Sequence, residues 1–216
     1  SWRTIPCALN AEPPKLRILE TTPPVCVLFS ADLVEVRDLT SGVVLWRLES
    51  GADDVAQIAK ETVAVLSGKT LLFVRLKDGA LLRQEALAEG VWSIAGGKTL
   101  FAASSKGTVL AFDKDGKAIL GWQENGNVLG LTADDIAVLV LQNGVVKFLG
   151  RRRTVVRTEG MPLMWQVVGK HLWLLLRSGL RRRLLLIQPD GVVQRWDVKI
   201  NVGEMAAQEN WCLLLE

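Results

Sequence analysis

The stretch TVAVLSGKTLLFVRLKDGALLRQEAL, Thr62 to Leu87, decides how this chain folds. It divides into three runs rich in β-branched and aliphatic residues, TVAVLS, TLLFVRL and ALLRQEAL, separated by the turn signals Ser67-Gly68-Lys69 and Lys77-Asp78-Gly79. Turns this short join only antiparallel neighbours, so the runs form a meander. A short strand at Val55 to Ala59 adds a fourth member ahead of them.

The same unit recurs along the chain. The hairpin glycines Gly42, Gly79 and Gly116 stand 37 residues apart, and Gly191 falls two further periods on with about one residue inserted. The first turns keep the same step: Ser30-Ala31-Asp32, Ser67-Gly68-Lys69, Ser105-Lys106-Gly107, Gln142-Asn143-Gly144 and Ser178-Gly179. So do the leading strands, VAQIA from Val55, VWSIA from Val91, VLGLT from Val128, MWQVV from Met164 and VGEMA from Val202. The units run over about 18–48, 55–87, 91–122, 128–158 and 164–196, and a sixth begins at 202–216 with two strands only.

Four-stranded units of about 37 residues predict an all-β fold, a β-propeller occupying 1–216 as a single domain. A solenoid is the alternative. Six blades are expected, with the orphan strand-like stretch SWRTIPCA, Ser1 to Ala8, completing the sheet begun by 202–216, because an apolar strand left with an open edge invites association. Missing blades or a partner chain could cover that edge instead. The segment DDVAQIAKETVAVL has helical flavour, but its alignment with the other leading strands marks it as strand.

With 49% hydrophobic residues the chain can bury a sizeable core. No apolar run approaches the roughly 18 residues of a membrane-spanning helix, and the start SWRTIPC carries no secretory pattern. The three cysteines, Cys7, Cys26 and Cys212, are odd in number and widely spaced, which fits free thiols in a reducing intracellular compartment, cytoplasmic or nuclear. Cys26 and Cys212 occupy matching positions of units one and six, but equivalent strands of adjacent blades diverge beyond disulfide reach.

The net charge of +3 conceals segregation. Lys147 to Arg183 holds ten Lys or Arg and the single acid Glu159, leaving −6 for the remainder. The clusters Arg151-Arg152-Arg153 and Arg181-Arg182-Arg183 sit at or beside turns of successive units, and form a candidate interaction patch for phosphates, anionic lipid or an acidic protein surface. A solvated surface enriched in arginine is the plain alternative.

Catalytic and cofactor chemistry is not legible. The single histidine, His171, has no companion ligands and reads as a strand-end residue; no CxxC pair, GxSxG elbow, GxxxxGK[ST] loop or helix-opening GxGxxG occurs, so no metal or cofactor is assigned. The paired acids Asp53-Asp54 and Asp134-Asp135 read as turn formers. There are eight tryptophans and no tyrosine. Trp46, Trp122 and Trp196 follow hairpin glycines at four to six residues, while Trp92 and Trp165 share a place on leading strands; such repetition indicates packing between blades rather than ligand stacking.

The segments LVEVRDLTSGVVLWRLESG and GTVLAFDKDGKAILGW resemble PQQ-like propeller repeats, in which a strand ending near Asp, a Thr-Gly or Asp-Gly turn and a Trp recur. WD-repeat proteins are similar in period, but the lone Trp196-Asp197 is out of register with their signature and no Gly-His pair precedes it. The resemblance implies the fold. The calcium-binding acids and disulfide ring of the quinone enzymes have no counterpart here. The expectation is a non-enzymatic protein-binding scaffold, a subunit of a larger complex. Nucleic-acid or anionic-lipid binding through the arginines, and a PQQ-like small-ligand binder or enzyme using a central channel, are the alternatives.

Overall fold

The computed structural model describes residues 14–19, 21–88, 92–133, 136–149, 154–208 and 211–215. All regular elements among them are strands, in six antiparallel sheets. Sheet 1 holds β1 (Lys15–Leu19), β2 (Val25–Phe29), β3 (Val34–Asp38) and β4 (Val44–Leu48). Sheet 2 holds β5 (Asp54–Ile58), β6 (Thr62–Ser67), β7 (Thr70–Arg75) and β8 (Leu81–Ala86). Sheet 3 holds β9 (Trp92–Ala95), β10 (Leu100–Ser104), β11 (Thr108–Phe112) and β12 (Ala118–Gln123). Sheet 4 holds β13 (Val128–Ala133), β14 (Ala137–Leu141), β15 (Val145–Leu149) and β16 (Thr154–Arg157). Sheet 5 holds β17 (Met161–Val168), β18 (His171–Ser178), β19 (Arg181–Ile187) and β20 (Val193–Val198), and β21 (Glu204–Ala207) pairs with β22 (Cys212–Leu215) in sheet 6. Every four-stranded sheet is a meander in sequence order.

The repeat found in the sequence is therefore the sheet itself. DDVAQIAKETVAVL forms β5 and β6, paired from Asp54↔Leu66 to Ile58↔Thr62. Gly42, Gly79, Gly116 and Gly191 all adopt left-handed backbone, with φ of 74°, 73°, 78° and 91°, in the turn between third and fourth strands. An L side chain enters that region at a cost, which is why glycine recurs with the period. An aspartate prepares each of these turns: Asp38 Oδ1 accepts from the N–H groups of Thr40 (2.9 Å) and Ser41 (2.7 Å), Asp78 Oδ1 from Ala80 N–H at 3.0 Å, Asp113 Oδ1 from Lys117 N–H at 2.8 Å, and Asp190 Oδ1 from Val192 N–H at 3.0 Å. Those hydrogen bonds hold the Asp38 and Asp78 carboxyls below the usual carboxylate range, the strongest being from Ser41 and Ala80 respectively.

The chain divides into two compact units, Ser1–Glu89 with Lys114–Gly116, and Gly90–Asp113 with Lys117–Glu216. In the first, sheets 1 and 2 pack face to face: Val27, Phe29, Val34, Val36 and Trp46 meet Val55, Val63, Val65 and Val74 in one cluster. Glu35, only 4% exposed, is hydrogen-bonded by Arg37 and by Arg47 Nε, the latter at 2.5 Å. Asp53 behaves as the expected turn former, its Oδ2 accepting from Gly68 N–H at 2.7 Å. Asp54 does not; it lies within β5, where its Oδ1 accepts from Val55 N–H at 2.9 Å and pairs with Arg17 of sheet 1 at 3.0 Å.

In the second unit the alternation of strand side chains divides the core. Ala137, Leu139 and Leu141 of β14 pack with sheet 3, while Val138 and Val140 of the same strand pack with sheet 5. Likewise Leu172, Leu174 and Leu176 of β18 meet sheet 4, while Trp173 and Leu175 join sheet 6 residues Met205, Cys212 and Leu214. Strands covered on both faces lose any polar alternation, which explains apolar runs such as AVLVL and HLWLLL. Cys26 and Cys212 are free thiols, both raised in pKa chiefly by burial.

Ser1 to Ala8, including Cys7, lies outside the described residues, as do Asp134-Asp135. No helix among the described residues is long and apolar enough to cross a membrane.

Candidate interaction surface

Two grooves flank β16, the outer strand of sheet 4. The first, about 640 Å³, opens between sheets 3 and 4 and is lined by Trp122, Glu124, Asn143, Val155, Lys147 and Arg157 among others. Its inner wall is a polar triad: Glu124, 5% exposed, accepts from Trp122 Nε1 at 2.6 Å through Oε1 and pairs with Lys147 Nζ through Oε2. Lys147 and Glu124 thus neutralise each other in the wall. Arg157 stands exposed at the mouth, paired across the ladder with Val145 at the end of the β15–β16 hairpin remote from the connection at 150–153.

The second is a narrow cleft of only about 20 Å³ between β16 and sheet 5, and it brings Arg157 together with Arg183, Arg195, Thr158 and Glu159. Arg183 approaches Glu159 at 3.8 Å and Asp197 at 3.6 Å, but both acids are highly exposed, and ion pairs of this kind contribute little. Among the described residues neither Arg157 nor Arg195 has a carboxylate within ion-pair distance.

The arginine cluster at 181–183 is divided by the pleat. Leu185 and Ile187 of β19 face sheet 4, so Arg183 and Arg181 share that side; Leu184 and Leu186 face sheet 6, and Arg182 follows them. Arg182 is paired directly with Arg177 and donates to the carbonyl oxygen of Ile200 at 3.2 Å. Arg151, Arg152 and Arg153 lie outside the described residues. Arg157, Lys147 and Arg195 were not singled out in the sequence. Strand parity was the available signal for Arg195, which is registered opposite Leu185 and so shares the face of Arg183.

His171 opens β18, opposite Val168 at the hairpin end, as a strand-end residue. Most of the described tryptophans pack, while Trp196 and Trp211 are 43% and 50% exposed. Trp165 covers Gly130, where an added Cβ would stand 2.5 Å from the indole, Trp173 donates to the Gln208 carbonyl oxygen at 2.9 Å and stacks on Trp196, and Trp122 meets Phe101 edge to face. Among the described residues no group of His, Cys, Asp and Glu is placed to hold a metal ion.

No protein-family model matches the sequence, and no curated protein does. Many solved structures match in fold. The computationally designed Ika8 protein superposes with a TM-score of 0.66 at 16% identity, covering 87% of this chain and 64% of that one. BBS1N, solved in complex with ARL6DN, gives 0.64 at 11% identity over 90% of this chain and 68% of its own. The WD40 domain of SCAP from fission yeast gives 0.62 at 12% identity over 91% and 60%. The chain thus spans less than two thirds of the length of the first and third. Likeness at these identities concerns the fold alone, and with the periodic meander sheets it makes this chain a β-propeller repeat protein.

Proposed function

We propose that the chain is a non-enzymatic, protein-binding scaffold that works as a subunit of a larger complex. The supporting observation is the surface around β16: rigid sheets buried on both faces present Arg157, Arg183 and Arg195 toward solvent with little internal neutralisation. BBS1N, a likeness in fold, was solved with a protein partner. Affinity capture from native extract with the purified chain tests the reading; a stoichiometric protein partner is expected, and a chain recovered only as a free monomer overturns it.

The second reading, nucleic-acid or anionic-lipid binding through Arg151–Arg153 and Arg181–Arg183, is favoured by the ten-to-one excess of basic residues between Lys147 and Arg183. Binding of this kind weakens steeply with salt because each neutralised phosphate releases counterions. Mixed RNA, DNA and anionic vesicles, offered at low and physiological salt to the chain and to a variant with all six arginines changed to Glu, separate the readings. Equal and negligible binding by both leaves protein docking.

We propose further that 1–216 form one domain in which Ser1–Ala8 adds a strand to sheet 6. The motive is the edge of β22, which among the described residues pairs only with β21, while Trp211, Leu213 and Leu215 are 44–50% exposed. Deleting residues 1–8 should lower the Tm by about 2–8 °C, the shift expected for roughly 1–2 kcal/mol in a chain of this size. An unchanged Tm assigns the edge to a partner or to further blades.

A further inference from the structure

We infer that the surface astride β16, the groove beside sheet 3 together with the arginines at the cleft beside sheet 5, docks an extended acidic segment of a partner protein. The inference rests on the protein-binding reading above and names its surface and chemistry. β16 is an outer strand four residues long, and among the described residues nothing pairs with its free edge, so its backbone N–H and C=O groups are open to an added strand.

What separates β16 from β4, β8 and β12 is charge, and β20, the outer strand of sheet 5, adds its Arg195 to the same surface. In β4, Arg47 is taken by Glu35 at 2.5 Å. In β8, Arg83 is taken by Glu85. The sequence of β12, AILGWQ, carries no charge. Around β16, by contrast, among the described residues Arg157 and Arg195 are without carboxylates, and Arg183 has only the two distant exposed acids. Arg157 lines both grooves, so cations stand on each side of the strand.

The apolar component points the same way. Val155 is 49% exposed and faces the first groove beside Trp122. An extended chain presents alternate side chains to opposite sides, so a segment alternating aliphatic and acidic residues would set its aliphatic side chains on Val155 and Trp122 and its carboxylates on the arginines. The Glu124–Lys147 pair gives that groove a wall without net charge, and Arg157 supplies its charge selectivity.

The test is fluorescence anisotropy with the full chain and a labelled peptide alternating Val and Glu, against a Val–Lys peptide, an oligothymidylate and phosphatidylserine vesicles. The Val–Glu peptide should bind, and the others should bind at least about tenfold more weakly. Arg157→Glu and Arg183→Glu should each weaken the peptide about three- to tenfold, the range for charges at an interface rim, whereas Lys60→Glu, in the β5–β6 turn, should change nothing. Circular dichroism and the Tm of each variant establish that it is folded. If the arginine variants bind the Val–Glu peptide as tightly as the parent, the surface is wrongly placed, although a captured partner would keep the scaffold reading. If the oligothymidylate or the vesicles bind more tightly and lose binding in the same variants, the occupant is wrong. Capture of no protein from extract defeats the scaffold reading itself.

Discussion

The indole Nε1 of Trp46 donates to the carbonyl oxygen of Leu76 at 2.6 Å, tying the outer strand of sheet 1 to the end of β7 in sheet 2. The same ring lies against the turn at Gly79, where a Cβ would stand 2.9 Å from the indole Cγ. Glycine at this turn thus serves two requirements, left-handed backbone and the close approach of Trp46. At Gly42, with nearly the same φ, nothing lies within 4 Å of the added carbon.

This pair separates backbone cost from steric cost. Gly42→Ala should destabilise by about 1 kcal/mol, the left-handed penalty alone. Gly79→Ala should cost about 2–3 kcal/mol, since a packed indole must also be displaced. Chemical denaturation of the two variants measures the difference, and equal losses would show that Trp46 yields freely.

Ala59 sits at the β5–β6 turn with φ of 50°, a conformation that favours glycine. Ala59→Gly should stabilise by about 0.5–1 kcal/mol, the relief of left-handed strain outweighing the extra freedom glycine gives the unfolded chain. A lower denaturation midpoint would contradict this.

Within the first groove, Lys147→Met leaves the buried Glu124 carboxylate, among the described residues, with only the Trp122 hydrogen bond. The expected loss is about 3 kcal/mol. Adding Glu124→Gln removes the stranded charge and should restore more than half of that loss. A double variant no better than the single one would mean the pair is not coupled.

Glu35 gives the protein an acid limit. Burial acts to raise its pKa, but the hydrogen bonds from Arg37 and Arg47 outweigh that and hold it below the ordinary value of 4.5. A depressed folded-state pKa supplies stability that is complete above the unfolded value and is lost as pH falls through the folded one. Unfolding free energy should therefore decline below about pH 4.5. Glu35→Gln should be less stable at neutral pH and should decline less steeply in acid; parallel pH profiles for the two proteins would exclude the mechanism.

The sequence by itself determined the strands, their order and the meander. These are local matters: Gly42, Gly79, Gly116 and Gly191 mark one turn because its left-handed backbone favours glycine, and short runs rich in β-branched and aliphatic residues between such turns favour paired strands. That Trp46 and Trp165 pack against the neighbouring sheet was legible from their repeated positions, but the neighbours were not: Trp46 meets Leu76 and Gly79, whereas Trp122 meets Phe101 and Trp196 stacks on Trp173. The surface around β16 was not legible. Arg181, Arg182 and Arg183 are contiguous in the chain, and only the register of β19 against β18 and β20 decides that Arg183 turns toward Arg157 and Arg195 while Arg182 turns toward Arg177. Glu124 and Lys147 are similarly unremarkable in sequence and meet because sheets 3 and 4 stack. Turn and strand follow from neighbours in the chain, whereas the charge at a groove is set by residues tens of positions apart, brought together only when the sheets bury their apolar faces against one another.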